Sequence, residues 1–244
     1  MPSWVGMGFQ DSSSFVMGEL SFLHDYVMMI MFLVVVVISY ILIYLLINVK
    51  FYKFFSEGTF IETVWSLIPA LLLVILVFPS MKVLYMMEDS KSPVFTFKII
   101  GHQWYWSYAS PLYNNYSYLV NGSLVSVIEK DSFFDLDSVS SFPRLLGATA
   151  DFFVPVNCVS RLLVSSTDVI HSFALPSLGL KVDAVPGRVN QLFMSPSRLG
   201  LFFGQCSEIC GSNHSFMPIS MKVCNLDDFD KMSKLGLLDL MSEN

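Results

Sequence analysis

Residues 26–49 read YVMMIMFLVVVVISYILIYLLINV and carry no charged side chain. At about 1.5 Å per residue, a helix of that length crosses a hydrocarbon core of about 30 Å. The stretch predicts a transmembrane helix and decides the fold, because the rest of the chain must then be organised around a membrane anchor. Composition agrees: 54% of the residues are hydrophobic, 22 are Phe and only 14% are charged, a balance uncommon in a wholly soluble protein.

Moving outward, residues 63–81 (TVWSLIPALLLVILVFPSM) form a second uncharged stretch, interrupted by Pro69 and Pro79. A membrane helix accommodates such prolines when its surroundings satisfy the freed backbone groups. No Lys or Arg precedes Lys50, whereas the short connection between the two stretches carries Lys50 and Lys53. The positive-inside rule places that connection, about residues 50–62, on the inner side and both termini outside. Residues 1–25 are expected to be an external segment in which His24 is an interfacial residue. They lack the basic start of a signal peptide and the Arg-rich character of a transit peptide, so no cleavable targeting segment is expected. Synthesis inside an organelle fits that expectation.

The anchor therefore spans about residues 26–87 with the external domain from 88, and the composition changes after Met81. Charges return at Lys82, Glu88, Asp89 and Lys91, and short apolar runs alternate with turn residues. Residues 94–108, 152–154, 161–165, 189–194 and 200–205 read as strands, rich in Val, Phe, Leu, Ile and Tyr between Gly, Pro, Ser and Asn. Many short strands predict an all-β sandwich or barrel. Residues 110–147, rich in Ser, Asn and Tyr, are expected to be a long connection or variable insertion, and residues from 227 onward a short helix. From residue 88 on, acidic side chains modestly outnumber basic ones. That excludes a nucleic-acid role and suits a basic protein partner.

Within this external part the informative stretch is Cys206-Ser-Glu-Ile-Cys210-Gly-Ser-Asn-His214-Ser-Phe-Met217, with His171 upstream at the end of a strand-like run. One Cys, two His and a weak Met would make a mononuclear blue-copper set. A second Cys changes the arithmetic. Two thiolates can each bridge two copper ions, leaving one imidazole apiece and Met217 with a backbone carbonyl as weak outer ligands. Soft bridging sulfurs on a rigidly held loop suit a relay that changes oxidation state without moving its ligands. The alternatives are a Cys206–Cys210 disulfide, two disulfides among the four cysteines, or structural zinc on a Cys2His2 set. Zinc has no use for a Met in register. Cys158 and Cys224 have no His or Met at ligand spacing and read as packing cysteines.

These residues resemble the copper-A subunit family (subunit II) of the haem-copper cytochrome c oxidases. The loop Cys206 to Met217 resembles that family's copper motif, and ETVWSLIPALLLVILVFPSMKVLYMMED from Glu62 its second span. GHQWYWSY from Gly101 is similar to its aromatic segment, and LPSLGLKVDAVPGRVNQ from Leu175 to the loop after its histidine. The resemblance implies a two-helix transmembrane hairpin plus an all-β cupredoxin-like barrel domain over residues 88–244. It implies a dinuclear copper centre on His171, Cys206, Cys210, His214 and Met217, with the backbone carbonyl of Glu208, whose side chain would reach magnesium at the contact with the catalytic subunit. Trp104 would receive the electron from cytochrome c, Tyr105 and Trp106 would pack beneath or beside the copper centre, and His102 would be hydrogen-bonded structure. Glu62 completes a capping-box pattern, Thr59-Phe-Ile-Glu62, and by the same analogy would lie at the mouth of a proton pathway.

The partners implied are cytochrome c, the haem-bearing catalytic subunit I, other oxidase subunits and lipid. The place implied is the mitochondrial inner membrane, with both termini and the copper domain in the intermembrane space; a bacterial plasma membrane is the alternative. After the aromatic run, where family members often place carboxylates for docking, this chain has Ala-Ser-Pro-Leu-Tyr-Asn-Asn-Tyr-Ser-Tyr. Glu129, Asp131, Asp135 and Asp137 would have to supply that charge. Two other functions are the alternatives: a membrane-tethered copper chaperone, which could use similar residues but needs an open site, and a non-redox anchor subunit, which needs no ligands.

Overall fold

The computed structural model describes residues 8–48, 54, 56–88, 92–111, 118–120, 123–125, 127–136 and 143–242. Lys50, Lys53 and Asp137 lie outside them. The chain divides into two units, residues 19–89 and residues 1–18 with 90–244.

The first unit holds two long helices. α1 (Phe15–Ile47) and α2 (Thr59–Glu88) are both long and apolar enough to cross a membrane. Almost none of their apolar side chains is buried, and many are well exposed, Leu46 by 84% and Phe60 by 79%, a surface that only lipid or another apolar partner can cover. α2 runs through Pro69 and Pro79. At its start Thr63 and Ser66 donate their hydroxyls to the carbonyls of Thr59 and Glu62, each at 2.8 Å. The helix begins earlier than the capping-box pattern predicts. The Glu62 N–H bonds the Gly58 carbonyl at 3.0 Å, so Thr59 is already a helical residue and Glu62 sits exposed in the first turn. Lys82 meets Glu19 at 3.0 Å, bringing the end of α2 to the start of α1.

The second unit is a β-sandwich. One sheet contains β1 (Phe95–His102), β2 (Tyr105–Pro111), β5 (Val127–Ser132), β7 (Ser160–Ser166) and β10 (Asn190–Met194), ordered β10-β7-β1-β2-β5. The other contains β6 (Phe152–Pro155), β11 (Gly200–Gln205) and β12 (Pro218–Cys224), ordered β11-β12-β6. β8 (His171–Leu175) pairs with β9 (Leu180–Ala184), and β3 (Tyr118–Val120) with β4 (Ser123–Val125). Strand period decides which side chains meet. Phe97 and Ile99 of β1, Leu162 and Val164 of β7, and Ile219 and Met221 of β12 are all fully buried. Phe97 packs edge-on to Phe152 of the facing sheet at 5.1 Å. α3 (Leu226–Ser242) follows β12, and its Phe229 packs against Phe95 and Phe97 at 5.2 and 6.1 Å.

Three details differ from the sequence reading. Residues 94–108 form two strands, because β1 and β2 pair antiparallel with His102 opposite Tyr105, leaving Gln103 and Trp104 as the turn. His171 opens β8 rather than closing a strand, since residues 167–170 are not extended. Part of the expected insertion is sheet: β5 pairs with β2, placing Asp131 opposite Ser107 and Glu129 opposite Ala109.

Candidate metal centre

Three segments meet at one end of the sandwich: the β1–β2 turn, the start of β8, and the loop from β11 to β12. β8 and β11 lie in close contact there. A Cβ at Gly204 of β11 would fall within the van der Waals radius of the Ala174 carbonyl of β8, so only glycine allows that approach. The Ser207 N–H then donates to the Ser172 carbonyl at 3.0 Å, which fixes the start of the cysteine loop beside His171.

The loop brings its sulfurs together. Cys206 and Cys210 are both buried and unbonded to each other, their Sγ atoms 4.0 Å apart. His171 Nδ1 lies 4.0 Å from Cys206 Sγ, and His214 Nδ1 lies 3.4 Å from Cys210 Sγ. Met217 Sδ is 3.5 Å from Cys210 Sγ, and the Glu208 carbonyl is 3.3 Å from Cys206 Sγ. The ligand atoms of His171, Cys206 and Cys210 all lie within 4.8 Å of one another. Sulfurs at that separation can share an ion at an ordinary metal–sulfur distance of about 2.3 Å. His171 lies nearest Cys206 and His214 nearest Cys210, so each sulfur has an imidazole beside it. Soft sulfur with imidazole, and a thioether beside them, fits a copper site.

His171 is fully buried and held by Asp168. Its Nε2 donates to Asp168 Oδ1 at 2.8 Å, which turns Nδ1 toward Cys206. The same carboxylate accepts the N–H groups of Val169 and Gln103, both at 2.6 Å. Burial would raise the Asp168 pKa, but the hydrogen bonds from His171 and from the backbone of Val169 and Gln103 hold it below the usual carboxylate value. Burial would lower that of His171, yet Cys206 and Asp168 raise it. In the metal-free protein the two thiols differ. Burial opposes ionisation of Cys206, but hydrogen bonds from His171 and from the backbone at Ser172 and Glu208 bring its pKa down to about 7. Burial and the charge of Cys206 push Cys210 upward.

Trp104 is half-buried, and its indole N–H donates to the Cys210 carbonyl at 3.3 Å, beside the Gln103 side-chain amide at 2.9 Å. Trp106 is fully buried beneath the site: its indole donates to the Met217 carbonyl at 3.3 Å and its ring lies edge-on to His171 at 5.9 Å. Tyr105 instead stacks on His102 and Phe133, each at 4.5 Å. His102 bonds Thr167 Oγ1 at 2.8 Å. The Glu208 side chain is half-exposed, and Glu62 lies in the other unit. Cys158 and Cys224 lie away from the cluster; Cys224 packs in the core, with its Sγ 3.8 Å from the Val154 carbonyl. Sequence reasoning missed Asp168 and Gln103. The spacing Asp168-Val-Ile-His171 was a signal for the first; Gln103 shows itself only once its backbone and side-chain contacts are known.

Comparison with known proteins agrees with this architecture. The family model for the cytochrome c oxidase subunit II periplasmic domain matches residues 95–224, and that for its transmembrane domain matches residues 2–83. Cytochrome c oxidase subunit 2 of Acheta domesticus is 43% identical over 94% of this chain and 96% of its own length. That of Aedes aegypti is 42% identical over 95% and 97%. The crystal structure of the periplasmic domain of subunit II from Bradyrhizobium japonicum superposes with a TM-score of 0.54 at 40% identity, covering 62% of this chain and 99% of that one. A membrane hairpin, a sandwich of this kind and a paired His/Cys cluster thus coincide with matches along nearly the whole sequence, and the chain belongs to the cytochrome c oxidase subunit II family.

Proposed function

We propose that this chain accepts electrons from cytochrome c through a dinuclear copper centre and passes them to haem in the catalytic subunit, where oxygen is reduced to water. The observation that carries the reading is the division of donors: sulfurs 4.0 Å apart, with His171 facing Cys206 and His214 and Met217 facing Cys210. It supports a ligand set of His171, Cys206, Cys210, His214, Met217 and the Glu208 carbonyl. When bound, a copper pair supplies a one-electron carrier. The chain's own residues hold the ligands from β8 and from the loop joining β11 to β12, keep water from the sulfurs by burial, and fix the His171 tautomer through Asp168. Such ligands do not move when the charge at the site changes, whereas a chaperone needs ligands that release their ion.

Trp104 is the proposed point of electron arrival, supported by its half-exposed ring and its hydrogen bond to the Cys210 carbonyl. Exposed Glu129 and Asp131 on β5 are proposed docking charges for a basic partner. The Glu208 side chain is proposed to reach magnesium against the catalytic subunit. Glu62 is proposed as a proton-uptake group, supported by its exposure in the first turn of α2. The membrane is proposed to be the mitochondrial inner membrane, with the β unit and both termini in the intermembrane space, a reading supported by Lys50 and Lys53 between the helices.

The test is metal analysis with electron paramagnetic resonance of the purified, oxidised chain. Two coppers per chain sharing one unpaired electron are expected. One copper, or zinc, overturns the reading.

A further inference from the structure

Resting on that reading, we infer that Asp168 is a positioning residue that joins the electron-receiving turn to a metal ligand, so that Trp104 and His171 are set by one carboxylate. The two oxygens divide the work. Oδ2 takes the Gln103 N–H at 2.6 Å, at the residue before Trp104, and Oδ1 takes His171 Nε2 at 2.8 Å and the Val169 N–H at 2.6 Å. A carboxylate offers acceptors only, and all three of these neighbours are donors. An amide of the same shape must turn its NH2 toward one of them and lose that bond.

The surroundings close a ring around this carboxylate. Gln103 and Trp104 both donate to the Cys210 carbonyl, and Cys210 Sγ lies 4.0 Å from Cys206 Sγ, which faces His171. From His171 the path returns through Asp168 to Gln103. Thr167, next to Asp168, ties the same turn from its other side: its N–H donates to the Gly101 carbonyl at 3.3 Å and its hydroxyl pairs with His102. Asp168 is the member of this ring that holds the turn and the ligand directly. The buried Ser166 hydroxyl, 3.2 Å from Asp168 Oδ1, anchors the carboxylate to β7, so Asp168 transmits the position of that strand to both the turn and the ligand.

The test compares the assembled oxidase carrying Asp168→Asn with the unchanged protein and with Asp131→Asn. The last removes an exposed charge from β5 without touching His171. Three readouts are taken: the midpoint potential and resonance spectrum of the copper pair, the rate of its reduction by cytochrome c at low and high salt, and amide hydrogen exchange of residues 101–106. For Asp168→Asn the expected results are an altered spectrum, a higher potential because a negative neighbour of His171 is gone, and reduction slowed about 10- to 100-fold at both salt concentrations. Exchange across residues 101–106 should quicken while β7 and β12 keep their protection. That measurement needs no copper and stands even where the variant loads poorly. Asp131→Asn should leave potential and spectrum unchanged and slow reduction at low salt only.

Unchanged exchange and potential in Asp168→Asn, with reduction slowed only at low salt, would overturn the inference and make Asp168 a docking charge. Absence of a two-copper signal in the unchanged protein would instead sink the reading on which it rests.

Discussion

At the level of single residues the site is unequal, and the inequality has a chemical consequence. In the metal-free chain, against the effect of burial, hydrogen bonds from His171 and the backbone bring the Cys206 pKa down to about 7, while burial and the charge of Cys206 push that of Cys210 up. Metal binds thiolates, so protons compete with it. Above pH 7 uptake must expel mainly the Cys210 proton; below, Cys206 and then His171, whose pKa is raised, also enter protonated. Copper uptake is therefore expected to weaken as pH falls, and more steeply below about 7, with proton release per chain rising in a calorimetric titration across several buffers. A pH-independent release would contradict this. If each thiol is shared between two ions as proposed, Cys206→Ser and Cys210→Ser should each abolish the two-copper resonance signal and electron delivery to haem. Normal delivery in either variant would refute the ligand assignment. The cluster of proposed ligands was legible in the sequence because four of them fall within twelve positions and their types suit soft metals. Asp168 was not, since an acid three residues from a histidine is common and only the fold turns it toward the imidazole.

Between strands, the site depends on two glycines whose missing side chains make room. Gly204 lets β11 lie against the Ala174 carbonyl of β8, and a Cβ at Gly101 of β1 would stand 2.9 Å from His171 Cδ2. Neither has a positive φ; the constraint is space alone. Gly204→Ala is expected to force β11 from β8 at about 1–3 kcal/mol or more, lowering the thermal midpoint by roughly 2–4 °C per kcal/mol for a unit of this size. Copper content should fall with it, because Ser207 would no longer bond Ser172. Gly101→Ala presses on a ligand instead of a strand, so its expected signature is a changed copper spectrum with a smaller loss of stability. Scanning calorimetry and resonance spectra on both variants separate the two effects. Strand-forming composition made β6, β7, β10 and β11 readable. It could not divide β1 from β2, because Gln103-Trp104 carries no Gly, Pro or Asn to announce a turn. The turn is held by Asp168 and by the Cys210 carbonyl, contacts distant in sequence. β8 was hidden for a related reason: its five residues are all buried, so no alternation marks them.

Across the whole molecule, membrane insertion follows from what the helices expose. α1 and α2 present apolar side chains around their circumference, and water cannot be their solvent. Charge then sets direction, since Lys50 and Lys53 lie between the helices and no basic residue precedes them. An even number of spans returns the chain to the side on which it began, so residues near position 12 and the copper-binding sandwich should share one compartment and residue 56 the other. Ser12 and Ser56 are both exposed, and Cys206, Cys210 and Cys224 are buried. Cysteines introduced as Ser12→Cys and Ser56→Cys therefore report orientation against the native background, with Cys158 measured in the unchanged chain. In sealed membranes with the sandwich outward, an impermeant maleimide should label the first at once and the second only after detergent. Equal labelling of both, or the reverse order, would refute the two-span arrangement that puts residue 12 on the sandwich's side and residue 56 on the other.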